Sequence, residues 1–328
     1  MSWQQQVGVV FGSLTPAEEL ARGARAAERA GFRQLWFSED CFFSGGLSGV
    51  AQLLASTEQT TAGLGLVSAV TRHPAVLAME LAGLARMHPG RLRAVVGLGN
   101  EHWLRQMGLL PERPLTVVRE TIAVLRELLA GKVVDGRTAV HEFQQVKLDL
   151  PPAEEPELWL GAVNERALKA GGEIADGVLL SVLAGPSYVR WARELTGSVP
   201  LTAYVLAAVD DDPSVARDAV RGPVAFFLQA ESRSALVSRS PYAEEIRAAV
   251  DALAPGESLT VPDHWVDEFA VAGDPDQVAA RLKALLAAGA DSLGLWLFPP
   301  ARLTEQIERF ATEVLDPASG RGLVGDIL

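Results

Sequence analysis

The chain has 328 residues, 48% apolar and 21% charged, with a net charge of −12 at pH 7. That is ordinary globular composition, and the acidic balance lacks the basic footprint of a nucleic-acid binder and disfavours anionic membrane surfaces. Cys41 is the one cysteine, so an intramolecular disulfide is impossible, which points to a reducing cytoplasm.

The opening MSWQQQVGVVFG has no basic region ahead of an apolar core, so no secretory signal is expected. The charge-free stretch from Cys41 to Thr57 is broken by Ser and Gly and falls short of the ~20 apolar residues of a membrane span. Strand one is read from Val7 in VGVVFGSL. Its helix starts with Thr15 as cap, Pro16 at the first position and Glu18 and Glu19 in the first turn, and it stops at Gly31. RQLWFSE from Arg33 is strand two, followed by a Gly/Ser loop and the helix GVAQLLASTEQ. Strand three, LGLVSAV from Leu64, precedes a helix entered at His73-Pro74. Strand four, LRAVVGLG from Leu92, precedes a long helical region up to Leu129. Val133 to Leu150 reads as a small β-excursion with the alternating pieces AVHEF and QVKLDL. Strands five (ELWLGA from Glu157), six (GVLLSVL from Gly177), seven (VPLTAYVLAAV from Val199) and eight (SLGLWLFP from Ser292) follow, each with its helix. A further helical stretch, YAEEIRAAVDALA, and then HWVDEFAVAG intervene before the last unit.

Eight strand-then-helix units predict an α/β fold, a (β/α)8 barrel. A doubly wound sheet would show fewer units and a Gly-rich turn after strand one, where this chain has GSLTP. The barrel is expected to occupy residues 1–316 as one domain, with excursions near 133–150 and 232–262 and a loose tail at 317–328.

No phosphate-binding GxxxxGK[ST] is present, the five histidines include no i,i+4 pair, and GGLSGV is not a GxSxG elbow, so no metal site is expected. In a barrel, chemistry sits at the C-terminal strand ends. Strand two ends in Ser38-Glu39-Asp40-Cys41. Paired carboxylates there suit a general acid or a polar ring anchor, or else serve as caps. Cys41 is read as a packed loop residue. After strand three stand Arg72, an anion-binding candidate, and His73, a candidate acid or a helix-start residue. Strand four ends in Gly97-Leu98-Gly99-Asn100-Glu101-His102. These glycines admit a flat ligand, and Asn100 and His102 either bond it or shape a capped turn. Gly161-Ala162-Val163-Asn164 precedes a helix, a place for a phosphate or a plain Asn cap. Trp103, Trp159, Trp191 and Trp296 read as core or pocket wall.

The runs WFSED, RHPAVLAME, HPGRLRAVVGLG, AGGEIADG and FAVAGDPDQVAARLKALLAAGAD together resemble the bacterial luciferase-like superfamily. The likeness is to its deazaflavin-dependent branch, which includes methylene-tetrahydromethanopterin reductases, and it runs from about Val7 to Leu315. The resemblance implies a barrel with insertions, usually dimeric, with coenzyme F-420 at its mouth. It implies a non-prolyl cis peptide at Val67–Ser68 behind the ring, a turn at Gly99-Asn100 beside it, and a phosphate turn at Gly161-Ala162-Val163-Asn164. Related enzymes carry Asp-His where this chain has Glu39-Asp40, so a carboxylate replaces the histidine acid. The expectation is a hydride-transfer oxidoreductase with Asp40, then His102, moving the proton and Ser38 and Glu39 at the ring. A barrel using FMN and oxygen, or a flavin binder without catalysis, remains an alternative. The expected partners are a small-molecule substrate and a second copy of the chain.

Overall fold

The computed structural model describes residues 3–316. The strands are β1 (Val7–Phe11), β2 (Gln34–Ser38), β3 (Thr61–Ser68), β4 (Leu92–Gly97), β5 (Val134–Arg137), β6 (Glu142–Val146), β7 (Glu157–Gly161), β8 (Val178–Leu180), β9 (Leu201–Val209), β10 (Ala270–Gly273) and β11 (Ser292–Leu297). Eight of them close a parallel ring in the order β9-β11-β1-β2-β3-β4-β7-β8 and back to β9. The expected (β/α)8 barrel is therefore present. The expected tail, 317–328, lies outside the described residues.

Helices α1 (Leu20–Arg29), α2 (Gly46–Ala55), α3 (Pro74–Met87) and α4 (Glu101–Met107) follow β1 to β4. Next come α5 (Pro114–Leu129), α6 (Glu165–Ile174), α7 (Pro186–Thr196) and α8 (Pro213–Glu231). The second excursion carries α9 (Ala235–Ser238), α10 (Ala243–Asp251) and α11 (Asp263–Phe269), and the chain continues through α12 (Pro275–Ala287) and α13 (Leu303–Arg309). The long helical region after β4 is thus two helices, parted after Met107 where Gly108 turns left-handed at φ +69.

Two strand readings change. The sixth strand is only Val178–Leu180, because Leu183 turns the chain at φ +68. β8 therefore reaches only Leu201–Ala203 of β9, and β10 pairs with Leu206–Val209 further along. The short, small-residue run AVAG gave no alternation to mark it as a strand. The first excursion is an antiparallel hairpin, β5 with β6. Its strands are VDGR and EFQQV rather than AVHEF and QVKLDL.

Aromatic rings from non-adjacent strands meet inside the ring. Trp36 of β2 lies 5.9 Å from both Trp159 of β7 and Tyr204 of β9, edge to face. Glycine makes room for them: a Cβ on Gly63 would stand 1.9 Å from the Trp36 ring. Period-2 alternation turns the neighbours outward, so Phe37 packs against Gly49 of α2, and Phe11 against Gly23 of α1. The interior is a packed core, which leaves the C-terminal mouth for chemistry.

Candidate active site

Alternation also separates the two carboxylates that follow β2. Trp36 faces inward, and Ser38 and Asp40 continue on that side. Asp40 accepts a hydrogen bond from Ser13, which follows β1. Burial pushes its carboxyl above the usual carboxylate range and the neighbouring Glu39 charge adds to this, while the Ser13 bond opposes it. Below Asp40 the Tyr204 hydroxyl is buried against Gly65 and faces the Ser38 side chain. Burial raises the Tyr204 phenol too, so it stays neutral.

Glu39 points the other way, to the rim. Its two oxygens each accept from Arg72 at 2.7 Å, and one also accepts the Gly46 N–H of α2 at 2.7 Å. The carboxylate is 10% exposed. A bidentate pair of this kind fixes geometry. Glu39 therefore braces the β2 and β3 ends. Arg72, held by Glu39, is not a free anion site.

β3 reaches the mouth through a bulge. Its register against β4 shifts between Leu64 and Val67, and Leu66 sits at φ +60. The resemblance implied a cis bond at Val67–Ser68, and this is corrected: among the described residues the cis peptide is Phe298–Pro299. The bulge is made by the left-handed Leu66 instead, whose side chain crosses to the ends of β4 and β7. A Cβ on Gly97 or Gly161 would lie 2.6 or 2.4 Å from its Cδ1. Ser68 is buried and donates to the Leu98 carbonyl at 2.6 Å, tying β3 to β4. Gly99 turns left-handed at φ +88 beside it. The Asn100 side chain caps α4, accepting from His102 N–H at 2.9 Å and Trp103 N–H at 3.4 Å. His102 is exposed on that short helix. His73 likewise caps α3 through Nδ1, with the hairpin's His141 ring 4.5 Å away.

The β7 and β8 ends differ. Asn164 is the N-cap residue of α6, but its side chain makes no cap bond, and Gly185 at α7 has none to offer. The first-turn N–H groups of α6 thus lack a side-chain cap, where plain Asn capping was one expectation. Val163 is fixed by the Tyr188 hydroxyl, which donates to its carbonyl at 2.6 Å. Such a helix start is electropositive and suits a phosphate.

A family model described as luciferase-like monooxygenase matches residues 2–292. The chain belongs to this family. It is 26% identical over 86% of its length to 5,10-methylenetetrahydromethanopterin reductase of Methanolobus tindarius, covering 91% of that protein. It is 27% identical over 84% of its length to F-420-dependent glucose-6-phosphate dehydrogenase of Tsukamurella paurometabola, covering 86% of that protein. In fold it is similar to the coenzyme F-420-dependent tetrahydromethanopterin reductase of Methanopyrus kandleri. There the TM-score is 0.77 at 21% identity, over 94% of this chain and 98% of that one.

This luciferase-like barrel brings Ser38, Glu39, Asp40, Val67, Ser68, Gly99 and Asn100 onto adjacent strand ends, with Gly161 to Asn164 at the end of β7. Sequence reasoning missed three contributors. Ser13 and Leu66 carried no signal. Tyr204 had a faint one, as a phenol inside the otherwise apolar strand LTAYVLAAV. No group of three or more His, Cys, Asp or Glu among the described residues is placed to hold a metal ion, and no described helix is long and apolar enough to cross a membrane.

Proposed function

We propose that this chain is a hydride-transfer oxidoreductase that uses coenzyme F-420. The observation that carries the reading is the kinship of nearly the whole chain to enzymes named for F-420. The reductase and the glucose-6-phosphate dehydrogenase are named for different substrates, so cofactor chemistry is the natural common ground.

The mouth fits a flat, anionic group. Gly97, Gly99 and the Leu66 bulge leave low relief at the β3–β4 end, and α6 presents first-turn N–H groups without a side-chain cap. When bound, the deazaflavin supplies the hydride chemistry. Val67, Ser68 and the Gly99-Asn100 backbone would back its ring, and Gly161, Ala162, Val163 and Asn164 would hold its phosphate. Asp40 holds the transferable proton at its carboxyl, since its burial favours the neutral acid at higher pH than usual. Ser13 orients that carboxyl. Glu39 and Arg72 brace the strand end on which Ser38 and Asp40 sit, and His102 is the second proton-handling candidate.

The same reading takes residues 1–316 as one barrel domain in a cytoplasmic enzyme that pairs as a homodimer. Val76, Met79 and Met87 are exposed on α3. With Gly83 they recur at helical spacing, an apolar stripe suited to a second copy.

The test is a spectroscopic titration with F-420, followed by turnover of the reduced or oxidised cofactor. Asp40→Asn is expected to lose about 10²-fold in turnover with cofactor affinity unchanged. Full activity in that variant would remove Asp40 as donor. Tight FMN binding with no F-420 binding would overturn the cofactor assignment.

A further inference from the structure

The mouth has two aromatic walls and, among the described residues directly after its strands, no free cation, and we infer that it takes an uncharged, apolar or ring-bearing substrate; this rests on the hydride-transfer reading above. The first wall follows β2 and β4. Phe43 packs on Trp103 of α4, with ring centroids 6.4 Å apart and planes tilted by 57°. Phe42 and Phe43 are nevertheless 67% and 57% exposed. Phe42 also sits at φ +73, in a turn closed by the Phe43 N–H donating to the Asp40 carbonyl. A bulky residue in left-handed conformation is strained. Exposing its ring forgoes burial as well, so the fold has no use of its own for Phe42 in this place.

The second wall lies on the other side. Trp296 of β11 stands 5.7 Å from Phe298 and 6.1 Å from Phe227 of α8, and Phe226 beside it is 63% exposed. β11 and β4 are four strands apart in the ring of eight, so these clusters oppose each other across the mouth. Leu14, after β1, is exposed between them.

Charge narrows the class. The segments directly after the eight ring strands are 12–16, 39–45, 69–73, 98–100, 162–164, 181–185, 210–212 and 298–299. Among their residues Arg72 is the one lysine or arginine, and Glu39 holds it on both nitrogens. An anionic group entering between the walls meets no free guanidinium or ammonium there, and it meets Asp40. Desolvating an unpaired carboxylate or phosphate is heavily disfavoured. An uncharged carbonyl, alcohol or imine on an apolar or aromatic body loses nothing by this and gains ring contacts.

The experiment measures equilibrium binding to the full chain, with and without cofactor, by ligand-observed NMR and tryptophan quenching. The probes are acetophenone, 4-acetylbenzoate and phenyl phosphate, each added over saturating inorganic phosphate so that the α6 start proposed for the cofactor phosphate is already filled. Acetophenone is expected to bind at least about tenfold more tightly than either anion, and Phe43→Ala to weaken it about fivefold with an unchanged circular dichroism spectrum. Tighter binding of an anion, no binding of acetophenone, or an unchanged Phe43→Ala would each overturn the inference. So would a Phe42→Ser/Phe43→Ser variant that dissociates a dimer while leaving acetophenone affinity intact, which would assign those rings to a subunit contact. The measurement without cofactor stands whichever flavin the barrel holds, so the failure of one reading is not mistaken for failure of the other.

Discussion

The two arcs of the barrel mouth treat their helix starts in opposite ways. On the β2–β4 arc every following helix has a side-chain acceptor: Glu39 for α2, His73 for α3 and Asn100 for α4. On the β7–β8 arc, α6 and α7 have none. The first arc is self-satisfied in its polar groups and offers rings and one half-buried acid. The second leaves its first-turn N–H groups without a side-chain hydrogen bond, with Glu165 in the first turn of α6 and the Glu268 carboxyl against Gly185 at α7, and an anion can complete them. In an acidic protein this local device matters, because the overall field repels an anionic cofactor.

The largest expected effect breaks the brace of the first arc. Glu39→Ala leaves Arg72 unpaired and half-buried and strips the acceptor from Gly46 N–H, and should cost about 2–4 kcal/mol in urea unfolding. A loss below about 0.5 kcal/mol, the scale of an exposed pair, would show the brace to be superficial. Next, Asn164→Asp places a charge at the α6 start. It should stabilise the chain without cofactor by about 0.5–1 kcal/mol and weaken F-420 binding about tenfold, opposite signs that a mere packing role would not produce. Comparable in stability, but with no effect expected on cofactor binding from its first member, is the paired comparison of caps. Asn100→Ala should cost about 1 kcal/mol, and Asn164→Ala almost nothing. Equal costs would erase the difference between the arcs.

Asp40 gives a test in pH. Its folded carboxyl titrates above the unfolded one, chiefly through burial. The protonated form therefore contributes stability at low pH, and that contribution is lost as pH rises through the folded value. Asp40→Asn cannot ionise, so its stability relative to the parent chain should grow from pH 4 to pH 8. An advantage largest at low pH would contradict the burial argument.

The barrel was legible because strand–helix alternation repeats and Pro and Gly mark the boundaries. Its strand ends were legible too: Ser38 and Ser68 close β2 and β3, and Asp40, Gly99 and Asn164 stand within three residues of the ends of β2, β4 and β7. What escaped was set by tertiary context. Glu39 and Asp40 look equivalent in sequence, and only strand parity and the distant Arg72 separate them. Leu66 carries a left-handed turn without a glycine to announce it. The cis bond implied at Val67–Ser68 is replaced by that turn. β10 is four small residues that pair only because β8 stops early. Asn100 and Asn164 both precede helices, yet only one caps.

Whether the barrel grips F-420 at the α6 start is decided by one titration. F-420 and FMN are added in parallel to the full chain and to Asn164→Asp, and affinity is read by fluorescence. F-420 should bind at least about 100-fold more tightly than FMN and be weakened about tenfold by the substitution, the size of one charge contact of about 1.4 kcal/mol. Preference for FMN, or F-420 affinity indifferent to the added carboxylate, would contradict it.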